Sequence, residues 1–370
     1  MRIGKRRISK RLVFILVPVV LVLGGAGAAL AADELPFTDI AGNTHEQSIV
    51  NMADRGITTG YPDGTFRPDN PVTRGQMMTF LDRYTSGMGC TDCHNDTTII
   101  VSKEAQFKER SVHGTGEAFE EGTRTACAGC HGTEGAKARI NAGLPPHDPS
   151  VAGIVNVTPF DCRTCHNMHS TYTGADWSLT GLEQPVKMEY TSGTFDKGAG
   201  NLCANCHQVR NPLPVATDGS VKVTSTRFGP HYGVQANMLL GEGGLGGTGS
   251  ASPHYDFLGE SCVSCHMGDE SNHTYEPQVA RCTSCHSGLE DFDRNGVQTK
   301  IQGMLDELKP LLISNGIMNA DDELSIPGTY PEAVAQAMWN YKVVNYDASL
   351  GVHNAAYAEA LLQSSLDALQ

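Results

Sequence analysis

The spacing of apolar residues divides the chain into four stretches of different character. Leu12 to Leu30 is an apolar run broken by Pro18 and three glycines, preceded by Arg2, Lys5, Arg6, Arg7, Lys10 and Arg11 and ending in Ala29-Leu30-Ala31. A basic start, an apolar middle and an A-x-A end predict a cleaved export peptide over residues 1–31, with a retained membrane anchor as the alternative for so long a run. In residues 36–84, Ile49, Met52 and Ile57 fall at helical spacing, Gly60-Tyr61-Pro62-Asp63-Gly64 is a turn cluster, and Thr73 is placed to cap a second apolar helix, Met77 to Leu81. Residues 88–290 hold neither a helical nor a strand period for long, and Gly241 to Ser250 reads as a flexible surface loop. Helical periodicity returns in residues 291–370: Val297, Ile301, Met304, Leu305 and Leu308 suit one helix, Val334, Ala337, Met338 and Tyr341 a second, and Ala356 to Leu369 a third. Pro310 near the end of the first and Pro331 near the start of the second fit those boundaries, and the three predict a small helical cap.

Composition changes the meaning of the unpatterned middle. Only 39% of residues are hydrophobic and 6% aromatic, with 41 Gly and 18 Pro, which is thin material for the core of a 370-residue chain. The 12 cysteines supply what is missing. All fall into six C-x-x-C pairs, Cys90/Cys93, Cys127/Cys130, Cys162/Cys165, Cys203/Cys206, Cys262/Cys265 and Cys282/Cys285, and each is followed at once by a histidine: His94, His131, His166, His207, His266 and His286. Disulfides and zinc ribbons need no such histidine, and with 14 His in the chain six adjacent ones by chance is on the order of 10^-9, so C-x-x-C-H is read as attachment of haem c. Two thiols add to the haem vinyl groups and the neighbouring imidazole binds iron on the proximal face. The motifs span 197 residues, about 33 per haem, so the expected interior is largely macrocycle wrapped in loops and short helices.

The sixth iron ligand decides whether such a site passes electrons or also binds substrate. Eight histidines are not proximal; His45 lies in the N-terminal segment and His353 in the C-terminal helical segment, leaving His113, His147, His169, His231, His254 and His273, one for each iron. His169 follows His166 too closely to reach the far face of the same haem and would ligate a neighbour. His231 and His254 share a Pro-His-Tyr context that would fix the ring, and His147, in Pro-Pro-His-Asp-Pro, looks more exposed. His353 is held in reserve, with helix packing or a supporting role the commoner use for such a histidine. Tyr172 and Trp177 would stack on a macrocycle edge or simply pack. Asp291, Asp293 and Asn295 with Gly296 have the spacing of the first half of a calcium loop, but position 12 is Gln302, so the alternative is a polar turn entering the next helix.

Two resemblances to known families add to this reading. F-T-D-I (Phe37 to Ile40), G-I-T-T-G-Y-P-D-G-T-F-R-P (Gly56 to Pro68) and V-T-R-G-Q-M-M-T-F-L-D-R (Val72 to Arg83) resemble an S-layer homology module, which implies binding of cell-wall polysaccharide through Thr73, Arg74, Gln76 and the Gly64 loop. Such modules usually come in threes and here there is one; a solvated pair of Arg74 and Asp63 is the plainer alternative. C-R-T-C-H-N-M-H-S-T-Y-T (Cys162 to Thr173) and D-A-S-L-G-V-H-N-A-A-Y-A (Asp347 to Ala358) resemble the extracellular hexahaem c-type cytochromes that polymerise into conductive filaments. The expected fold is therefore mostly α and irregular, a haem-filled cytochrome domain over residues 88–290 with little regular secondary structure, between a helical S-layer homology module (36–84) and a helical cap (291–370).

The expected function is electron transfer at the cell wall or cell surface through six covalent haems, with other redox proteins or extracellular acceptors as partners and self-association into a filament as a further expectation. A multihaem reductase of nitrite, hydroxylamine or a sulfur oxyanion, with one open iron, is the alternative. Loss of residues 1–31 removes six basic and no acidic residues and takes the net charge from −14 to about −20, which argues against nucleic acid as a partner.

Overall fold

In the computed structural model, residues 35–54, 56–86, 99–171, 174–180, 184–247, 249–268 and 272–370 are described. The predicted export peptide, the first haem motif (Cys90, Cys93, His94) and Tyr172 lie outside the described residues. The chain forms two compact units that divide after Arg83. About 45% of it is helical, with little regular sheet.

The N-terminal unit contains α1 (Glu46–Asp54) and the start of α2 (Arg74–Ser86). Phe37, Ile40 and Ile49 are buried together against Val50, Ala53 and Phe66. Ile57 does not belong to α1: the helix stops at Asp54 and the Ile57 N–H donates to the Met52 carbonyl in the turn that follows. Thr73 caps α2 as the spacing predicts, in a reciprocal box where the Gln76 N–H donates to Thr73 Oγ1 at 3.1 Å and the Thr73 N–H to Gln76 Oε1 at 2.9 Å. Asp63 pairs with Arg67 rather than Arg74, and the Thr65 hydroxyl and that guanidinium hold its carboxyl down at about 2. Asp39 accepts from the Phe66 and Arg67 N–H groups and ties the start of the unit to the far side of its loop.

In the second unit, short helices and turns run from α3 (Ile99–Ala105) through α4 (Thr133–Asn141) and α5 (Gln235–Leu240), with a two-stranded antiparallel pair, Val186–Lys187 against Thr194–Phe195. Three long helices close the chain: α6 (Val297–Ser314), α7 (Glu332–Asp347) and α8 (Ala355–Leu369). Helix α6 continues one turn past Pro310: the proline forfeits the bond its missing N–H would give the Asp306 carbonyl, and the burial of Leu305, Leu308 and Leu312 on either side offsets that loss. The strand Ser220–Val223 pairs antiparallel with Gly328–Pro331 immediately before α7 and joins the motif-bearing region to these helices.

The largest apolar core is protein, not cofactor space. Leu305, Leu308 and Leu312 of α6, Met338, Trp339 and Val343 of α7, and Leu361, Leu362 and Leu366 of α8 are buried with Val209, Val221, Val234 and Met238 from the motif-bearing region. The C-terminal helices are thus an integral wall of the unit rather than a cap laid over it.

The Gly241 to Ser250 stretch is not a flexible loop. The Trp339 indole N–H donates to the Gly243 carbonyl at 2.8 Å, Asn340 brackets Leu245 through both its side-chain atoms, and Tyr357 Oη accepts from the Gly244 N–H. Its glycines permit close packing: a Cβ on Gly244 would lie 2.3 Å from Leu361 Cδ2, and one on Gly249 would lie 1.8 Å from the Gly241 carbonyl oxygen.

Lys342 is 2% exposed on α7, and its ammonium donates to the Phe228 carbonyl (2.7 Å) and Ser325 Oγ (2.8 Å). Burial pushes its pKa down from 10.5 to about 8. Between those values the unfolded chain keeps a proton that the folded chain has lost, so stability should rise with pH from about 8 to 10.5. Urea unfolding across that range should show this rise in the parent protein and lose it in Lys342→Met.

Candidate haem centres

Each described C-x-x-C-H motif is a single helical turn. The histidine N–H donates to the carbonyl of the first cysteine in four of them: His131 to Cys127 (3.0 Å), His166 to Cys162 (2.9 Å), His207 to Cys203 (2.9 Å) and His286 to Cys282 (2.8 Å). The fifth, Cys262 to His266, lies wholly within the helix Ser261–His266. Positions i, i+3 and i+4 of a turn share one face, so two thiols and an imidazole are presented together.

Every one of these five proximal imidazoles has a second imidazole opposite it. Ring centres are 6.3 Å apart for His131 and His231, 6.3 Å for His166 and His273, 5.9 Å for His207 and His113, 6.2 Å for His266 and His353, and 6.1 Å for His286 and His254. Two iron–nitrogen bonds of about 2 Å plus about 1.1 Å from each nitrogen to its ring centre give about 6.2 Å, so the spacing is that of two imidazoles on one iron.

Hydrogen bonds fix which nitrogen is offered. Nδ1 of His131, His166 and His266 donates to the carbonyls of Ala118 (2.8 Å), Trp177 (2.9 Å) and Tyr275 (2.8 Å), and Nδ1 of His207 to Gln235 Oε1 (2.9 Å). On the distal side, His254 Nδ1 donates to the Val352 carbonyl (2.8 Å) and His353 Nδ1 to Asp347 Oδ1 (2.7 Å). Each bond commits Nδ1–H and leaves Nε2 for a metal. Burial favours the neutral, ligating form of several of the paired rings: it holds His113 and His231 at about 4 and lowers His131, His207, His266 and His286. His353 is the exception, because the Asp347 carboxylate outweighs its burial and raises it.

Local structure aims the distal ligands. A π-helical turn, Gln106–Arg110, ends at the fully buried Ser111, whose hydroxyl accepts the His113 N–H at 3.1 Å and starts the short helix bearing His113. Ser252 caps the turn Pro253–Phe257 that carries His254. His231 sits at φ 72°, a left-handed conformation costly for a histidine, in a turn that Lys342 ties down through Phe228.

The pairings differ from the expected distal set. His353, held in reserve by the sequence reading, is opposite His266, in the loop of residues 348–354 between α7 and α8. His147, expected to ligate, hydrogen-bonds Glu189 Oε2 through Nδ1 at 2.8 Å and is outside the five pairs, as is His169, which is exposed at φ 59°. Trp177 contributes its carbonyl to His166 and places its ring 6.3 Å from that imidazole. No motif or spacing pointed to Gln235 or Asp347.

The candidate calcium residues form a polar turn. Asp293 takes the Thr299 N–H and hydroxyl, Asp291 takes the Asp293 N–H, and Asn295 is left-handed at φ 56°. This turn and His286 line an open cavity of about 500 Å³.

The sites are contiguous. Arg139 donates to the Gly129 carbonyl of the second motif and the Asn205 carbonyl of the fourth, and Cys262 of the fifth packs against the cluster that contains Ala204 of the fourth. The Tyr275 ring lies 5.1 Å from His113 and 6.1 Å from His273, bridging the fourth site to the third.

Repeated vicinal thiols beside facing imidazole pairs are the donor set that covalent c-type haems require. Residues 83–175 match the cytochrome c3 family, and residues 36–78 match the S-layer homology domain, which places the chain at the cell wall. The chain is similar to cytochrome c-552 of Maridesulfovibrio salexigens, 24% identical over 227 residues covering 52% of this chain and 44% of that protein. It also aligns with the solved structure of the outer cell wall cytochrome OcwA at a TM-score of 0.46 and 20% identity, over 84% of this chain and 59% of that one. It therefore spans about half the length of these relatives. No helix among the described residues is long and apolar enough to cross a membrane.

The pairing gives a direct test. In His353→Ala, the oxidised protein should show one haem converted to a high-spin ferric signal by electron paramagnetic resonance with the rest unchanged, while His147→Ala should leave the five described sites low-spin.

Proposed function

We propose that this chain carries electrons through the cell wall by way of six covalent haems, each iron closed by two histidines, and delivers them to another redox protein or an external acceptor. The five facing imidazole pairs carry this reading: with an imidazole on each face, those irons would have no position left for a substrate, and transfer would be outer-sphere, from edge to edge. Bound haem supplies the one-electron ferric/ferrous couple. The chain's own residues hold the rings, exclude water and set the local charge. For the sixth haem, on His94, the haem-region imidazoles outside the five pairs are His147 and His169.

Five distal ligands drawn from within one chain support a conduit over a reductase, and they narrow any ligand sharing between subunits of a filament to the His94 haem. The S-layer homology module would anchor this conduit to wall polysaccharide, with Arg74 exposed at the start of α2 and Thr73 and Gln76 occupied in its cap.

The oxidised full-length protein should be entirely low-spin and should not change its spectrum on addition of nitrite or hydroxylamine. A native high-spin haem that binds either one overturns the conduit reading. Deletion of residues 36–84 should abolish sedimentation with purified cell walls while leaving the haem content and the reduction of the remaining protein intact.

A further inference from the structure

Arg210 is a buried cation that no carboxylate answers. The residue is 7% exposed, and its backbone N–H donates to the Pro230 carbonyl at 3.0 Å. One guanidinium nitrogen, Nη2, lies 2.6 Å from Nδ1 and 3.0 Å from Nε2 of His231, so the group rests against that imidazole. Its Nε is buried with no hydrogen-bond partner. Among the described residues no Asp or Glu lies within 4 Å of it. The guanidinium touches His231 of the second site, and Arg210 follows His207 of the fourth by three residues, so its charge stands close to both.

A second buried arginine at the same junction shows what a structural role looks like. Arg139, 1% exposed, donates from Nε to the Gly129 carbonyl (2.6 Å), from Nη1 to the Leu144 carbonyl (3.2 Å), and from Nη2 to the Asn205 carbonyl (3.0 Å), so each of its nitrogens is satisfied by fixed oxygens. Arg210 has no such set. A guanidinium does not shed its proton on burial, and an unanswered buried charge is strongly disfavoured. The anion that answers it must arrive with the cofactor, and haem carries carboxylates in its propionate groups.

We propose that Arg210 binds a propionate of the haem held between His131 and His231, and that its fixed positive charge raises the reduction potential of that haem. The physical reason is direct: ferric iron carries one more positive charge than ferrous iron, so a nearby cation disfavours the oxidised state, while a propionate stripped of its counter-cation favours it. Arg210 thereby sets the step between the second and fourth haem sites, which Arg139 joins through the Gly129 and Asn205 carbonyls. The proposal rests on the haem reading of the C-x-x-C-H motifs.

The test uses mature holoprotein of the parent, Arg210→Gln and Arg210→Lys, with covalent haem counted by intact mass and potentials read by spectroelectrochemical titration. Arg210→Gln should keep the full haem count, and one haem should become harder to reduce, with at least a tenfold shift in its ferric/ferrous ratio at fixed potential, about 59 mV. Arg210→Lys keeps the charge without the planar fork; its titration should stay near that of the parent while the propionate bending mode in resonance Raman shifts. A full haem count with an unchanged titration in the Gln variant overturns the proposal. If that variant fails to mature, an unchanged propionate mode in Arg210→Lys overturns it alone. A parent protein lacking covalent haem overturns the underlying reading instead.

Discussion

The architecture depends on imidazoles facing each other across about 6 Å, a gap too wide for a hydrogen bond between the rings and suited to a metal between them. The partners of the five pairs lie 32 to 107 residues apart in the chain. Closing so many long loops has an entropic cost that grows slowly with length, and short turns without a shared apolar core cannot offset it alone. Each pair therefore does for this fold what a cross-strand ladder does in a sheet: it brings distant segments into register. That explains how a region of short helices and two residual strand pairs can still be one compact body.

The two kinds of interior are linked at specific atoms. Gln235 takes the His207 Nδ1–H on its side-chain oxygen and donates from its nitrogen to the carbonyls of Tyr346 and Asp347 at the end of α7, each at 3.2 Å. Asn354 reaches back to the Met238 and Ser250 carbonyls while capping α8. Lys342 secures the turn that presents His231. Polar side chains on and beside the C-terminal helices thus orient the paired imidazoles, so a change in helix packing is felt at those pairs.

What could be read from the sequence follows from how local each requirement is. Thioether attachment needs three residues within one turn, so all six motifs are plain in the sequence, five of them in the described structure. A distal ligand needs only to arrive from anywhere, which is why His113, His231, His254 and His273 could be proposed as a set but not paired, and why His353, in a helix-rich neighbourhood, stood behind His147. The run of glycines at 241–247 looks like a linker by composition; its order comes from Trp339, Asn340 and Tyr357, nearly a hundred residues or more away. Apolar periodicity located α6, α7 and α8, yet it could not tell a lid from a wall, because that depends on the valines and Met238 on the other side.

The loop of residues 348–354 serves two imidazole pairs at once, giving His353 to the pair with His266 and the Val352 carbonyl to His254, which faces His286. A shift of this one loop would move an imidazole in the first pair and the hydrogen bond that orients an imidazole in the second, so neither pair can be disturbed alone.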